Sequence, residues 1–186
     1  LPDGSMDTFR GYGQKLDYIV GYAKKELRPY FTWQGFRYFE VWGDVDVVDC
    51  RVVHADIAVS STFTSSNEVL NWLNDAYIRT QLCNIHMGIP SDCPHAERKG
   101  YTGDGQACAE VAMTIFDSKE FYKKWIVDIL DCQNIHNGHV QHTAPMMGGG
   151  GGPCAWGNAI VQVPYMYYKK FGDIDMLELC YEPIKK

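Results

Sequence analysis

Residues 91–106, with the sequence SDCPHAERKGYTGDGQ, carry the most information about how this chain folds. They place three carboxylates, Asp92, Glu97 and Asp104, within thirteen consecutive residues. Pro94 and three glycines interrupt any helical pattern, so we expect a loop whose carboxylates do not lie on a helix face. Loops that a rigid scaffold holds in place are where catalytic groups concentrate.

The three carboxylates suit glycoside hydrolysis, in which one protonated carboxyl donates to the leaving oxygen and a second carboxylate acts from the opposite side. A donor stays protonated when it is buried or lies beside other negative charges. Asp92 and Asp104 are placed to supply such charges to Glu97. Carboxylates also accept hydrogen bonds from sugar hydroxyls. Tyr101, four residues after Glu97, can present its ring to the apolar face of a sugar.

Two other interpretations of these acids stay open. Three acids among glycines are typical of a Ca²⁺ loop, although the spacing does not follow the EF-hand pattern. Asp104 can also simply cap a helix that begins at Gly105–Gln106.

Elsewhere, His136, His139 and His142 offer three imidazoles that could bind Zn²⁺ or Fe²⁺. Their spacing fits neither the HExxH motif nor a helical i, i+4 pair, so polar loop residues are the simpler interpretation.

Helical periodicity dominates the chain from residue 65 onward. Ser65 or Ser66 can cap a first helix with Glu68 in its first turn. One broad apolar face of this helix consists of Val69, Leu70, Leu73, Ala76, Tyr77, Thr80 and Leu82. A loop is predicted over 87–105, and further helices over 106–116, 118–134, 155–171 and 173–181.

The region before residue 65 carries strand signals instead. Three stretches rich in aromatic and β-branched residues are separated by Gly, Pro and Asp, and they lie at 17–21, 36–42 and 45–58. Between the later helices, residues 135–153 contain six glycines, five of them consecutive. A connection of that length is usually mobile or wraps a functional site.

Composition narrows the class of protein. With 46% hydrophobic residues the chain can bury a core, which argues against disorder. A net charge of −6 argues against a nucleic-acid binder, which would carry a basic patch. The seven cysteines include no CxxC pair, so neither a disulfide framework nor a zinc ribbon is indicated. We find no signal peptide and no membrane span, but a fragment can have lost its signal.

The run DCPHAERKGYTGD at 92–104 closely resembles the signature of bacterial α-L-rhamnosidases, glycoside hydrolase family 78. There the pattern is commonly Asp-Cys-Pro-x-Arg-Glu-Arg-x-Gly-Trp-x-Gly-Asp. Three further segments resemble the family in the same order along the chain. Residues 31–40 (FTWQGFRYFE) are similar to the segment closing its β-sandwich, 66–71 (SNEVLN) to its first barrel helix, and 155–159 (AWGNA) to a later loop-to-helix junction.

The resemblance implies a mixed, mainly α fold. Residues 1–64 would be the C-terminal strands of a β-sandwich domain, and residues 65–186 the N-terminal part of an incomplete (α/α)6 barrel. The five predicted helices would leave apolar faces uncovered. We therefore expect the isolated chain to need either the rest of its protein or self-association to remain soluble. A bacterial protein of this family can be cytoplasmic or periplasmic, so the localisation stays open.

The resemblance also implies an activity: hydrolysis of terminal α-L-rhamnosyl bonds with inversion, without an organic cofactor. From the histidine spacing we also expect no metal. The partners would be rhamnose-containing glycosides or polysaccharide side chains. Glu97 would be the general acid, and Asp92 and Asp104 would bind rhamnose hydroxyls. Tyr101 and Trp156 would form aromatic walls around the ring.

Three positions depart from the family pattern. Ala96 stands where many members have Arg, Asn158 replaces the usual Asp after Trp-Gly, and Tyr101 replaces Trp. The family's general base is a glutamate much later in the barrel, and no motif here matches its surroundings. We therefore expect the isolated chain to be inactive. The alternative is a non-catalytic carbohydrate-binding fragment or a degenerate paralogue of a glycosidase.

Overall fold

The computed structural model describes residue 12 and residues 14–22, 26–46, 49–148 and 154–186. This part of the chain is mainly helical, as predicted, with one small antiparallel hairpin. The helices are α1 (Glu68–Cys83), α2 (Thr102–Ile115), α3 (Lys119–Asp131), α4 (Cys154–Gly157), α5 (Ala159–Phe171) and α6 (Ile174–Ile184). The strands β1 (Ile85–His86) and β2 (Ile89–Pro90) lie between α1 and α2.

The strands predicted before residue 65 do not form in the described residues. Stretches 17–21, 36–42 and 45–58 are extended or bent without ladder pairing, and residues 47–48 of the last one lie outside the described part. Further along, Val59 makes an isolated antiparallel bridge to Phe116. A strand satisfies its backbone only through a neighbouring strand. In the described chain the last stretch makes only single backbone hydrogen bonds to other segments, such as the one from the N–H of Ala55 to the carbonyl of Ile85 at 2.8 Å, and no ladder forms.

The first helix begins where predicted but is capped by a different residue. Asn67, not Ser65 or Ser66, is the N-cap, and its side chain accepts from the backbone N–H of Val69 at 3.0 Å. Ser65 instead accepts from the N–H of Asn67 at 3.1 Å. The residue directly before Glu68 has its side chain within reach of the unpaired N–H groups of the first turn, which explains the correction.

Helix α1 packs through only part of its predicted apolar face. Tyr77 and Leu82 are partly buried against the core, whereas Val69 and Leu73 remain 67% and 56% exposed. The exposed N-terminal half is consistent with self-association of the isolated chain, which stays a prediction.

The loop predicted over 87–105 is shorter than expected at both ends. Its first residues belong to the β1–β2 hairpin, whose turn places Met87 and Gly88 at φ 50° and 75°. Its last residues belong to α2, which begins at Thr102, so Asp104 lies in the first helical turn and not in a loop. The N–H of Thr102 donates to the carbonyl of His142 at 2.9 Å. This hydrogen bond pairs the first N–H of the helix, so α2 can begin before Gly103 and Gly105.

The remaining predicted helices are confirmed with shifted ends. The helix predicted over 118–134 is α3, and the one over 155–171 is divided at Asn158 into α4 and α5. Asp173 caps α6 by accepting from the N–H of Met176 at 3.2 Å, and the helix then continues to Ile184.

The core lies between α2, α3, α5 and α6, with α5 in contact with the other three. Along α3 the buried residues recur every three to four positions, as one face of a helix requires. They are Phe121, Tyr122, Trp125, Ile126 and Ile129. Within the described residues, no helix combines the length and the apolar character needed to cross a membrane.

Candidate active site

The hairpin and Asp92 together fix the base of the acidic loop. Directly after β2, the backbone N–H and the hydroxyl of Ser91 both donate to the carbonyl of Asn84, at 2.6 and 3.1 Å. The N–H of Asp92 donates to the carbonyl of Lys99 at 3.1 Å, and the N–H of Lys99 donates back to Asp92 Oδ1 at 3.0 Å. These reciprocal bonds close the loop that carries Glu97.

The second carboxylate oxygen of Asp92 is also engaged. The thiol of Cys93 donates to Asp92 Oδ2 at 2.8 Å. Burial and the neighbouring Asp92 carboxylate raise the pKa of this thiol, which keeps it protonated as a donor. Asp92 is half-buried, so its first role in the fold is to hold the loop, and only its remaining lone pairs are available to a ligand.

Glu97 is exposed at the tip of the loop and is held by Tyr101. The phenol of Tyr101 donates a hydrogen bond to Glu97 Oε2. This bond raises the pKa of Tyr101, with further contributions from burial and from the charges of Glu97, Asp92 and Asp104. Because one phenol is affected by all three carboxylates, the structure brings the predicted acidic residues into one site.

Asp104 lies at the start of α2, among the same charges. Burial raises the pKa of its carboxyl, and the charges of Asp92 and Glu97 raise it further, although part of the side chain is exposed to solvent. Its own backbone N–H lowers the pKa by hydrogen bonding to the carboxylate. A carboxylate in the first turn of a helix is also favoured by the helix dipole, which opposes these effects.

Trp156 reaches the site from α4. A Cβ atom added at Gly103 would overlap the indole ring of Trp156, so the ring lies against the α2 backbone directly beside Asp104. The side-chain amide of Gln106 donates to the carbonyl of Ala155, next to Trp156. This hydrogen bond connects α2 with α4 at the residue directly before Trp156.

The sequence analysis did not identify His142 as part of this site. Its imidazole stacks on the ring of Tyr101 at a centroid distance of 5.7 Å and an interplanar angle of 11°. The backbone holds the pair together, because Tyr101 and Thr143 form an antiparallel bridge and the N–H of Ala144 donates to the carbonyl of Gly100 at 2.9 Å. Sequence offers no signal for this contact, since the two segments lie about forty residues apart.

The stack limits what Tyr101 can do. One face of its ring is covered by His142 and its hydroxyl is bonded to Glu97. Only the other face of the Tyr101 ring is therefore free of these two contacts.

The metal-site interpretation finds no support in the geometry. Among the residues that the structure describes, no three His, Cys, Asp or Glu side chains lie together so that they could hold a metal ion. His136 and His139 are exposed, whereas His142 lies against Tyr101.

Comparison with known proteins identifies the family of the chain. The family model of the bacterial alpha-L-rhamnosidase 6 hairpin glycosidase domain matches residues 58–186. The chain belongs to this family. The match includes every residue of the candidate site.

Among curated members, an alpha-L-rhamnosidase of Formosa agariphila is 30% identical over 100% of this chain, which covers 21% of that protein. An alpha-L-rhamnosidase of Streptomyces avermitilis is 33% identical over 95% of this chain and is covered to 18%. The chain thus spans about a fifth of the length of these rhamnosidases.

Solved rhamnosidase structures agree with this assignment. An alpha-L-rhamnosidase from Dictyoglumus thermophilum superimposes with a TM-score of 0.68 at 36% identity, over 71% of this chain and 15% of that one. The Streptomyces avermitilis alpha-L-rhamnosidase complexed with L-rhamnose gives a TM-score of 0.67 at 31% identity, over 71% and 13% of the two chains. The superimposed part of the chain therefore has a fold that these rhamnosidases share.

Proposed function

We propose that the whole protein hydrolyses terminal α-L-rhamnosyl bonds with inversion, and that Glu97 is the general acid. The observation that carries the proposal is that three carboxylates, Glu97, Asp92 and Asp104, lie around Tyr101. It occurs in a chain whose matched relatives are named alpha-L-rhamnosidases. An exposed carboxyl held by a neighbouring phenol can meet the oxygen of a departing alcohol.

The remaining site residues suit the recognition of a sugar ring. Asp104, exposed at the first turn of α2, accepts hydrogen bonds from rhamnose hydroxyls, as do the free lone pairs of Asp92. The free face of Tyr101 and the indole of Trp156 provide apolar surfaces on which the carbon face of the sugar packs. Rhamnose, a deoxy sugar with a methyl group, suits a site that combines carboxylates with aromatic rings.

Inversion requires a second carboxylate, roughly 6.5–9.5 Å from the acid, to activate the attacking water. We propose that this base is supplied by a part of the protein outside these 186 residues. In the same proposal, residues 1–64 become the last strands of a β-sandwich only when the rest of that sandwich supplies partner strands, and residues 65–186 begin an (α/α)6 barrel. Helices supplied by the rest of the barrel would then complete the site around Glu97.

The test is the stereochemistry of hydrolysis by the whole protein. With an aryl α-L-rhamnoside as substrate, proton NMR should show β-L-rhamnose as the first product, followed by slow mutarotation. First appearance of the α anomer would refute inversion and the two-carboxylate geometry. Rhamnose binding without any release of the aryl group would refute hydrolysis altogether.

A further inference from the structure

We propose that an N-terminal strap, defined as residue 12 and residues 14–22 and 26–35, positions Glu97 by fixing the backbone of the acidic loop. Gly35 is the central positioning residue of this strap. The inference rests on the proposed function, because it concerns how the acid of that reaction is held. The strap lies outside the segment matched by the family model and contributes no residue to the candidate site.

The first observation is the close approach of Gly35 to the loop. A Cβ atom added at Gly35 would lie 2.7 Å from the carbonyl carbon of Pro94 and 2.9 Å from the nitrogen of His95. These are backbone atoms, which cannot rotate away as the end of a flexible side chain can. The φ of Gly35 lies outside the left-handed region, so a side chain is excluded by the loop and not by the glycine's own backbone.

The second observation is that two hydrogen bonds with the side chain of Gln14 hold the backbone of Gly35. The side-chain amide of Gln14 donates to the carbonyl of Gly35 at 2.8 Å, and the N–H of Gly35 donates to Gln14 Oε1 at 3.0 Å. Both backbone polar groups of Gly35 are therefore occupied. Retreat of Gly35 from the loop without Gln14 would break both hydrogen bonds.

The third observation is that the strap also holds the other side of Glu97. The guanidinium of Arg98 donates to the carbonyl of Tyr12 at 2.9 Å, and Arg98 has a left-handed φ of 53°. A non-glycine residue adopts that conformation at a cost, and it persists where the surroundings hold it. Trp33 adds a contact at the base of the loop by stacking on His86 of β1, with ring centroids 4.3 Å apart.

These contacts lie on both sides of Glu97 in the loop. Gly35 touches the loop two residues before Glu97, and Tyr12 binds the residue directly after it. Glu97 is exposed, so packing around its own side chain does not fix its place. Misplacement of a reacting group by about 1 Å can lower a rate by about 100-fold, which is the effect that the strap prevents.

The experiment compares Gly35→Ala with Gly21→Ala in the whole protein. Gly21 lies in the same strap, has no left-handed φ, and a Cβ added there meets no atom within 4 Å. Each variant is assayed with a methyl α-L-rhamnoside, whose leaving oxygen needs a proton, and with a dinitrophenyl α-L-rhamnoside, whose leaving group departs without one. A displaced acid affects the first substrate far more than the second.

We expect Gly35→Ala to lower kcat on the methyl glycoside by about 10- to 100-fold with little change in KM. The rate on the dinitrophenyl glycoside should stay within about threefold of wild type. Gln14→Ala, which removes the two hydrogen bonds to Gly35 without adding bulk, should shift the two rates in the same direction by a smaller factor. Gly21→Ala should behave as wild type on both substrates.

Equal losses on both substrates for Gly35→Ala and Gln14→Ala, or no loss on either, would overturn the inference. If Gly35→Ala does not fold, as judged by circular dichroism, the ratio of rates for Gln14→Ala alone decides the question. A wild-type protein that hydrolyses neither substrate overturns the proposed function, and this inference with it. An active wild type with unselective variants overturns only the positioning role.

Discussion

Two regions of the chain contain the same kinds of apolar and aromatic side chain, but most of these side chains are exposed in the first region and buried in the core of the second. In the described residues before 59, Ile19 and Tyr22 are fully exposed, although they belong to a stretch with apolar and aromatic residues. In the helical region, Ile126 and Tyr122 are fully buried. The contrast shows that apolar residues create a core only where the backbone around them can form its hydrogen bonds.

The physical cause is the difference between helices and strands. A helix pairs its own N–H and C=O groups, so α3 needs only one packed face to be stable. A strand needs a second strand before it gains any ladder bond. The three stretches before residue 59 form no ladder in the described chain. Most of their apolar side chains accordingly remain in solvent, although Ala55 and Ile57 pack against the core.

The largest expected effect comes from exchanging equivalent residues between buried and exposed settings. Trp125 is fully buried and its indole N–H donates to the carbonyl of Ala144 at 3.0 Å, whereas Trp72 on α1 is 68% exposed. We expect Trp125→Ala to lower the free energy of unfolding by about 3–5 kcal/mol. Trp72→Ala should change it by less than about 1 kcal/mol. Urea unfolding followed by circular dichroism measures both, and equal effects would show that the core is not where the structure places it.

A smaller effect is expected from the buried tyrosines at alkaline pH. Burial is the main cause that raises the pKa of both Tyr77 and Tyr167 to about 12 and that also raises the pKa of Tyr122. The unfolded phenol ionises near pH 10, so it loses its proton before the folded one does. The stabilisation is thus complete below pH 10 and is lost as the pH rises toward 12.

The measurement is the free energy of unfolding between pH 9 and pH 12, roughly the range over which unfolded and buried phenols ionise. Tyr122→Phe should lose less stability over this range than wild type, because the variant lacks the phenol that ionises on unfolding. Removal of this hydroxyl breaks no hydrogen bond, since the buried Tyr122 hydroxyl has no partner in the described chain. Tyr22→Phe, at a fully exposed position, is the matched control and should follow wild type. Identical curves for all three proteins would contradict the account.

Sequence alone predicted the helical region well for a clear reason. Buried residues of α3 such as Phe121, Trp125 and Ile129 repeat at helical spacing, and that spacing is visible without a structure. The hairpin was missed because its strands have only two residues each. The early start of α2 was missed because the partner of its first N–H, the carbonyl of His142, lies forty residues downstream.

In the candidate site too, sequence predicts the features that are local in the chain and misses those that depend on tertiary packing. The sequence predicted Asp92, Glu97 and Asp104 in one loop. Asp92 and Glu97 do lie in the loop, whereas Asp104 lies in the first turn of α2. The stacking of His142 on Tyr101 and the contact of Gly35 with Pro94 depend on tertiary packing. Local patterns contain no information about such contacts, so a structure was needed to find them.

The central claim is that Glu97 is the proton donor of a rhamnosidase. The most direct test compares Glu97→Gln with Glu110→Gln, a matched exposed glutamate on α2, in the whole protein with a methyl α-L-rhamnoside. We predict that Glu97→Gln lowers kcat by about 100- to 10,000-fold and that Glu110→Gln leaves it unchanged. Full activity of a folded Glu97→Gln protein would contradict the account and move the acid to another residue.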